Sequence, residues 1–230
     1  MKRKLAVLIC VAFVLGVLSP GSSWAGRPDK SWKDWFGHFA IGYVLPEGEF
    51  SDLVDETWSL SGGATWWPGP VGLDLDLAWN DFDVSKEAIR RLNDALEPPS
   101  DGTIDDGTLA IWSVTADAIW SPELGGKVSF YLAGGIGTYY LDGQLTTRGL
   151  VYYPPGCQPY PPYWCYPGGI GGADIVVGSE SSWEFGYNAA LGLNFELASG
   201  SQVYLEVKYH NVDTERDALT YIPIMLGYRW

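Results

Sequence analysis

From Trp35 onward, apolar and polar residues alternate with a period of two, in runs closed by turns or polar loops. That period belongs to β-strands, whose successive side chains point to opposite faces. Eight strands are predicted, at residues 35–45, 57–67, 71–81, 108–120, 127–141, 182–197, 202–212 and 219–230. Their connections alternate in length. Residues 68–70, 121–126 and 198–201 are short and built from Pro, Gly and Ser, which is tight-turn chemistry. Residues 46–56, 82–107 and 142–181 are long, and 213–218 is shorter. Short turns at one end and long loops at the other predict an all-β fold, an eight-stranded antiparallel up-and-down barrel.

The content of the two faces decides which solvent the barrel meets. In the sixth strand Trp183, Phe185, Tyr187, Ala189, Leu191, Leu193, Phe195 and Leu197 share one face. Glu184, Gly186, Asn188, Ala190, Gly192, Asn194 and Glu196 share the other. The third strand sets Val71, Leu73, Leu75, Leu77 and Trp79 against Gly72, Asp74, Asp76, Ala78 and Asn80. A soluble barrel turns its apolar face inward; a membrane barrel turns it outward around a polar lumen. The aromatics sort by height as well. Trp35, Trp66, Trp120, Phe130, Phe195, Tyr228 and Trp230 fall at the short-turn ends. Tyr43, Trp58, Trp79, Trp112, Tyr140, Trp183 and Tyr209 fall at the long-loop ends. Two girdles at opposite rims suit rings that prefer headgroup depth, and a soluble core has no cause to form them. A transmembrane barrel in a bacterial outer membrane is expected, with short turns periplasmic and long loops extracellular.

Composition supports export. Lys2, Arg3 and Lys4 precede an apolar run from Leu5 to Leu18, Ser19-Pro20-Gly21 breaks it, and Ser23-Trp24-Ala25 supplies small residues at a cleavage site. Residues 1–25 are read as a cleaved signal peptide and 26–230 as the barrel domain. The mature chain then holds 11 basic against 28 acidic residues, a net of −17, which disfavours nucleic acid as a partner. It keeps two cysteines, Cys157 and Cys165, eight positions apart in one Pro-rich loop. In an oxidising compartment a disulfide between them is favoured over two free thiols.

Three features carry a family resemblance: the export signal, the glycine-rich fifth strand Tyr131-Leu132-Ala133-Gly134-Gly135-Ile136-Gly137, and the ending Tyr221-Ile222-Pro223-Ile224-Met225-Leu226-Gly227-Tyr228-Arg229-Trp230. With them the chain resembles the small eight-stranded outer-membrane barrels, among them the OmpA-type transmembrane domain and the OmpX/Ail-like barrels. The ending is similar to the family's C-terminal signal to the barrel-assembly machinery, with Trp230 where Phe is commoner. The resemblance implies an integral outer-membrane protein in contact with lipid and lipopolysaccharide.

The candidate residues divide between lumen and surface. The polar faces send Asp74, Asp76, Asp117, Glu184, Glu196 and Glu206 inward with Lys208, Arg229, His38 and His210. Eight strands leave room for little more than side chains. An ionic network that plugs the lumen is therefore favoured over a gated pore or a lipophilic-solute channel. A lipid-modifying enzyme would need a His-activated nucleophile facing lipid, whereas both histidines take lumen positions. No catalytic residue, cofactor or metal is predicted. The acidic run 101–107 has Asp106 and Trp112 where a calcium loop needs Gly and Glu. Residues 85–96 read as a short helix capped by Ser85, either covering the barrel mouth or touching lipopolysaccharide. Tyr153, Tyr160, Tyr163 and Trp164, set among prolines, are the candidate surface-interaction residues for an extracellular protein or other ligand. The predicted role is non-enzymatic: envelope structure or surface interaction.

Overall fold

The structure, a computed structural model, describes residues 35–68, 71–96, 103–122, 127–153, 156–157, 165–166, 169–198, 200–215 and 217–230, with side chains described outside 150–173. The signal segment, parts of the short turns, and Tyr160, Tyr163 and Trp164 lie outside the described residues. Eight long strands close into a barrel: β1 (Trp35–Glu47), β2 (Thr57–Trp66), β3 (Val71–Asp83), β4 (Asp106–Trp120), β5 (Val128–Tyr153), β6 (Gly169–Glu196), β7 (Gln202–Asp213) and β8 (Leu219–Arg229). Each pairs antiparallel with the next, and β8 returns to β1 in a register running from His38↔Arg229 to Glu47↔Thr220. Beyond that register, Trp230 exchanges backbone hydrogen bonds with Gly37 at 3.0 and 3.1 Å. The C-terminal residue thus completes the seam, and closure leaves no open edge around the wall.

The wall is apolar outside. Leu75, Leu191 and Leu193 are 58%, 55% and 41% exposed, while Asp117 and Lys208 are 4% and 5% exposed. Exposed leucines alternating with buried ions are stable only where the outer solvent is hydrocarbon, since an exposed backbone-closed barrel can present such a band to lipid. The girdles form neighbour-to-neighbour ring contacts. Trp35 stacks on Trp66 (5.8 Å) and Tyr228 on Trp230 (5.9 Å) at the short-turn rim. Tyr43 meets Trp58 (5.7 Å), Trp79 meets Trp112 (6.1 Å) and Tyr140 meets Trp183 (5.1 Å) at the other rim.

Two elements differ from expectation. Most of 142–181, expected as a loop, continues β5 and β6 as a two-stranded ribbon paired out to Tyr153↔Gly169, with a bulge where Leu145/Thr146 faces Gly178/Val176. β4 supports it only as far as Asp106↔Thr146, and β7 reaches β6 only to Phe185. Outside the membrane both faces of the ribbon meet water, so the apolar alternation that marks a wall strand is absent from its sequence. Glu196, expected in the lumen, has the inward parity but ends β6 and is exposed at the short turn. Its strand runs out before the lumen begins.

Candidate functional site

The interior is built in storeys. In the one nearest the short turns, His38 on β1 has Nε2 3.1 Å from Asp74 Oδ1 and Nδ1 3.9 Å from Asp76 Oδ1, both on β3. Thr65 on β2 donates to the same Asp74 oxygen at 2.5 Å. Arg229 lies over the rings of Tyr131 (5.6 Å) and Tyr204 (5.0 Å), a cation–π arrangement, and donates to Asn194 at 3.4 Å. The Tyr131 hydroxyl donates to Glu206 at 2.7 Å. These rings fit because glycines face them: a Cβ on Gly192 would run into the Tyr131 ring, and one on Gly227 into that of Tyr204.

The middle storey centres on Lys208, which donates to Asp117 Oδ2 at 2.6 Å across the barrel. Asn188 donates to the other Asp117 oxygen at 2.7 Å, and Thr115 supports the pair. Two charges withdrawn from water this completely persist only with such full hydrogen bonding. Above them, Tyr139 and His210 Nδ1 share a hydrogen bond of 2.9 Å, and the His210 ring stacks on Tyr221 at 4.7 Å.

The third storey is apolar, which the sequence reading missed. Tyr221 meets Phe82 edge to face (6.1 Å), and Phe82 meets Phe50 (5.2 Å). Val44, Ile111, Val212 and Leu219 fill in around them as one buried cluster. Phe50 comes from a 3-10 turn, Gly48–Asp52, that folds inward after β1; Gly48 starts it at φ 61, a left-handed conformation suited to glycine. Val44, Phe82, Ile111 and Val212 all occupy inward positions near the long-loop ends. Apolar residues on the otherwise polar face, confined to one height, were the available signal.

Helix α1 (Lys86–Ala95) packs at this end. The Ser85 side chain accepts from Ala88 N at 3.1 Å as its N-cap and donates to Asp52 O at 3.0 Å, tying the helix to the Phe50 turn. Ala88 and Ile89 are buried, and Leu92 and Leu96 are each 40% exposed. Between the turn, the helix and the risers of β4, β5 and β6 lies a vestibule of about 710 Å³. In the acidic run, the Asp105 carboxylate accepts from Arg148 N at 2.7 Å and so anchors the ribbon.

The predicted lumen residues are therefore placed unequally. Asp74, Asp76, Asp117, Glu206, Lys208, His38, His210 and Arg229 meet in the two polar storeys. Glu184 has inward parity and is half-buried, but among the described residues it forms no ion pair, and neither does Glu196. In a separate two-stranded ladder, outside the barrel sheet, Cys157 and Cys165 are direct cross-strand partners, with Gly156 opposite Tyr166.

A closed eight-stranded barrel, greasy outside, ionic within and ringed at two heights by aromatics, defines an integral outer-membrane β-barrel protein. The chain belongs to the outer membrane protein beta-barrel domain family, whose profile matches residues 19–229. No curated protein sequence matches it. Among solved structures it is similar to Neisserial surface protein A (NspA), at 11% identity and TM-score 0.49, covering 85% of this chain and 95% of that one. It is also similar to Ail of Yersinia pestis, solved with the heparin analogue sucrose octasulfate, at 17% identity and TM-score 0.45, covering 86% and 99%. A third is OprG of Pseudomonas aeruginosa, at 14% identity and TM-score 0.43, covering 86% and 97%.

Proposed function

We propose that this protein is a non-enzymatic, closed barrel that anchors a surface-interaction element in the outer membrane. The observation that carries the reading is the pairing of a filled lumen with a ribbon rising beyond the girdle. Polar side chains occupy the lumen from His38 to Tyr139, an aromatic stopper tops them, and β5 and β6 continue outward to Tyr153 and Gly169. A lumen occupied by side chains in this way suits a plug better than a pore, whereas a stalk whose sequence ends in Pro, Tyr and Trp suits recognition. His38 and His210 are held by Asp74 and Tyr139 inside the wall, away from lipid, which supports a structural role for both.

In this reading residues 1–25 direct export, Trp230 is read by the assembly machinery, and Cys157 and Cys165 form a disulfide that staples the stalk's tip. Tyr153, Tyr160, Tyr163 and Trp164 then supply the contact surface, and lipopolysaccharide surrounds the outer rim. The net charge of −17 on the mature chain disfavours a sulfated polysaccharide of the heparin type as its ligand.

The test has two arms. Planar-bilayer recording of the full mature barrel is expected to show no steady conductance; a stable open level would favour the small-pore reading. Deleting residues 150–172 is expected to abolish adhesion or another surface phenotype while heat-modifiable migration persists. An unchanged phenotype would overturn the surface role. Replacing His38 and His210 should leave lipid A chemistry in cells unaltered, and any change would revive the enzyme reading.

A further inference from the structure

The vestibule stands above the outer girdle, where the surrounding solvent is water. Its members lie beyond the ring residues of their own strands: Leu109 beyond Trp112 on β4, Leu145 beyond Tyr140 on β5, and Gly178 beyond Trp183 on β6. Acyl chains therefore do not account for the apolar surface that the described residues leave uncovered here, as they do for Leu75 or Leu191. Yet its lining includes the apolar side chains of Phe50, Leu219, Leu109, Leu145, Ala88 and Leu92. Of its lining residues, Leu53 and Leu92 are 52% and 40% exposed. An apolar concavity facing water marks a binding site more often than a packing fault.

Size and charge narrow the occupant. A volume of about 710 Å³ lies within the roughly 300–1,000 Å³ of small-molecule sites. A protein partner would need a contact face of about 800 Å² rather than a single cup. Two charged side chains line the site, Arg91 and Glu180, of opposite sign, and Arg91 is already engaged by Glu87 at 3.6 Å. With Arg91 so engaged, Glu180 is the charge left on the lining, which disfavours an anionic ligand. Thr108, Gln144 and Ser179 place neutral polar groups on the same lining. Below, Phe50 of the lining meets Phe82 and Phe82 meets Tyr221 edge to face, which sets an aromatic layer between the vestibule and the polar storeys.

We propose that the vestibule binds one small lipophilic molecule, with a hydrocarbon body and an uncharged polar end, taken from the cell's exterior and held without passage through the barrel. The inference rests on the surface-interaction reading for its orientation, and it names a ligand class for that surface.

The test uses the full mature chain in lipid nanodiscs with labelled leucine methyls, titrated with 1-octanol and, in parallel, with octanoate. Octanol is expected to shift the Leu109, Leu145 and Leu219 methyls saturably, while the lipid-facing Leu75 and Leu191 methyls drift without saturation. Octanoate is expected to bind at least tenfold more weakly. Ala88→Trp, which fills the cup, should remove the saturable shifts, and Leu92→Asp should weaken them tenfold or more. The proposal is overturned if vestibule and lipid-facing methyls move in parallel, or if both variants bind as the parent does. It is equally overturned if saturation appears only after removal of residues 154–164, which would make the chain's own tip the occupant. Any of these failures leaves the conductance and deletion results above untouched, so the two readings fall separately.

Discussion

Lys208 shows what burial demands of a single residue in this wall. Its ammonium is 2.6 Å from Asp117 and also lies in the field of Asp76 and Glu206. Removing the cation therefore takes away a positive charge shared by three carboxylates, whereas removing Asp117 leaves the cation two others. Lys208→Met is expected to destabilise the barrel by about 3–5 kcal/mol, the usual cost of orphaning one partner of a buried pair. Asp117→Asn should cost less, and the double variant less than Lys208→Met alone. Urea unfolding in lipid vesicles would check the order, and equal losses for both singles would contradict it. On the opposite face, Leu75→Arg should cost about 2–4 kcal/mol, as a charge placed in mid-bilayer does. The same measurement serves, with a neutral result counting against lipid contact. Gly192→Leu should expel the Tyr131 ring and break its bond to Glu206, lowering the temperature at which the band on gels shifts to the unfolded position.

Among the elements, the β5–β6 ribbon and α1 depend on the barrel in different ways. The ribbon beyond the bulge is held by its own ladder and by Asp105 and Thr103, while β7 pairs with β6 only as far as Phe185 among the described residues. Deleting residues 150–172 is thus expected to leave the unfolding midpoint of the barrel unchanged; a large drop would mean the ribbon nucleates β5 and β6. Helix α1 instead hangs on Ser85, which caps it and binds Asp52. Ser85→Ala should cost about 1 kcal/mol of local stability, seen as faster amide exchange across α1 and the Phe50 turn together. Exchange rising in α1 alone would separate the two. The wall strands were legible in sequence because lipid on one side and ions on the other enforce a strict period of two. The ribbon was not, since Gly143 to Arg148 lies beyond the lipid-facing wall and carries Gly, Gln and Thr around a lone Leu145 in place of a strict apolar alternation. α1 was legible from Ser85 and the spacing of Ile89 and Leu92, although its partner in the Phe50 turn was not.

Taken whole, the barrel interior holds two storeys of buried ionic groups and, toward the long-loop end, an apolar cluster of rings and aliphatic side chains. Sequence parity pointed to the first of these layers, because Asp74, Asp117 and Lys208 each fall on the inward face. It concealed the second, because Phe50 arrives from a loop whose fold depends on Gly48 and on contacts with β3 and α1. The pairing of His38 with Asp74, or of Glu206 with Tyr131, likewise needed the register around the barrel, which no single strand contains. All of this depends on the apolar face meeting acyl chains. Nitroxide labels at Leu75→Cys, Leu191→Cys and Asn188→Cys, in a chain with Cys157 and Cys165 replaced by Ser and reconstituted in bilayers, test that most directly. Leu75 and Leu191 labels should collide freely with oxygen and hardly with a water-soluble nickel chelate, while the Asn188 label should be shielded from both. Nickel access at Leu75 and Leu191, with oxygen access no higher than at Asn188, would contradict the account.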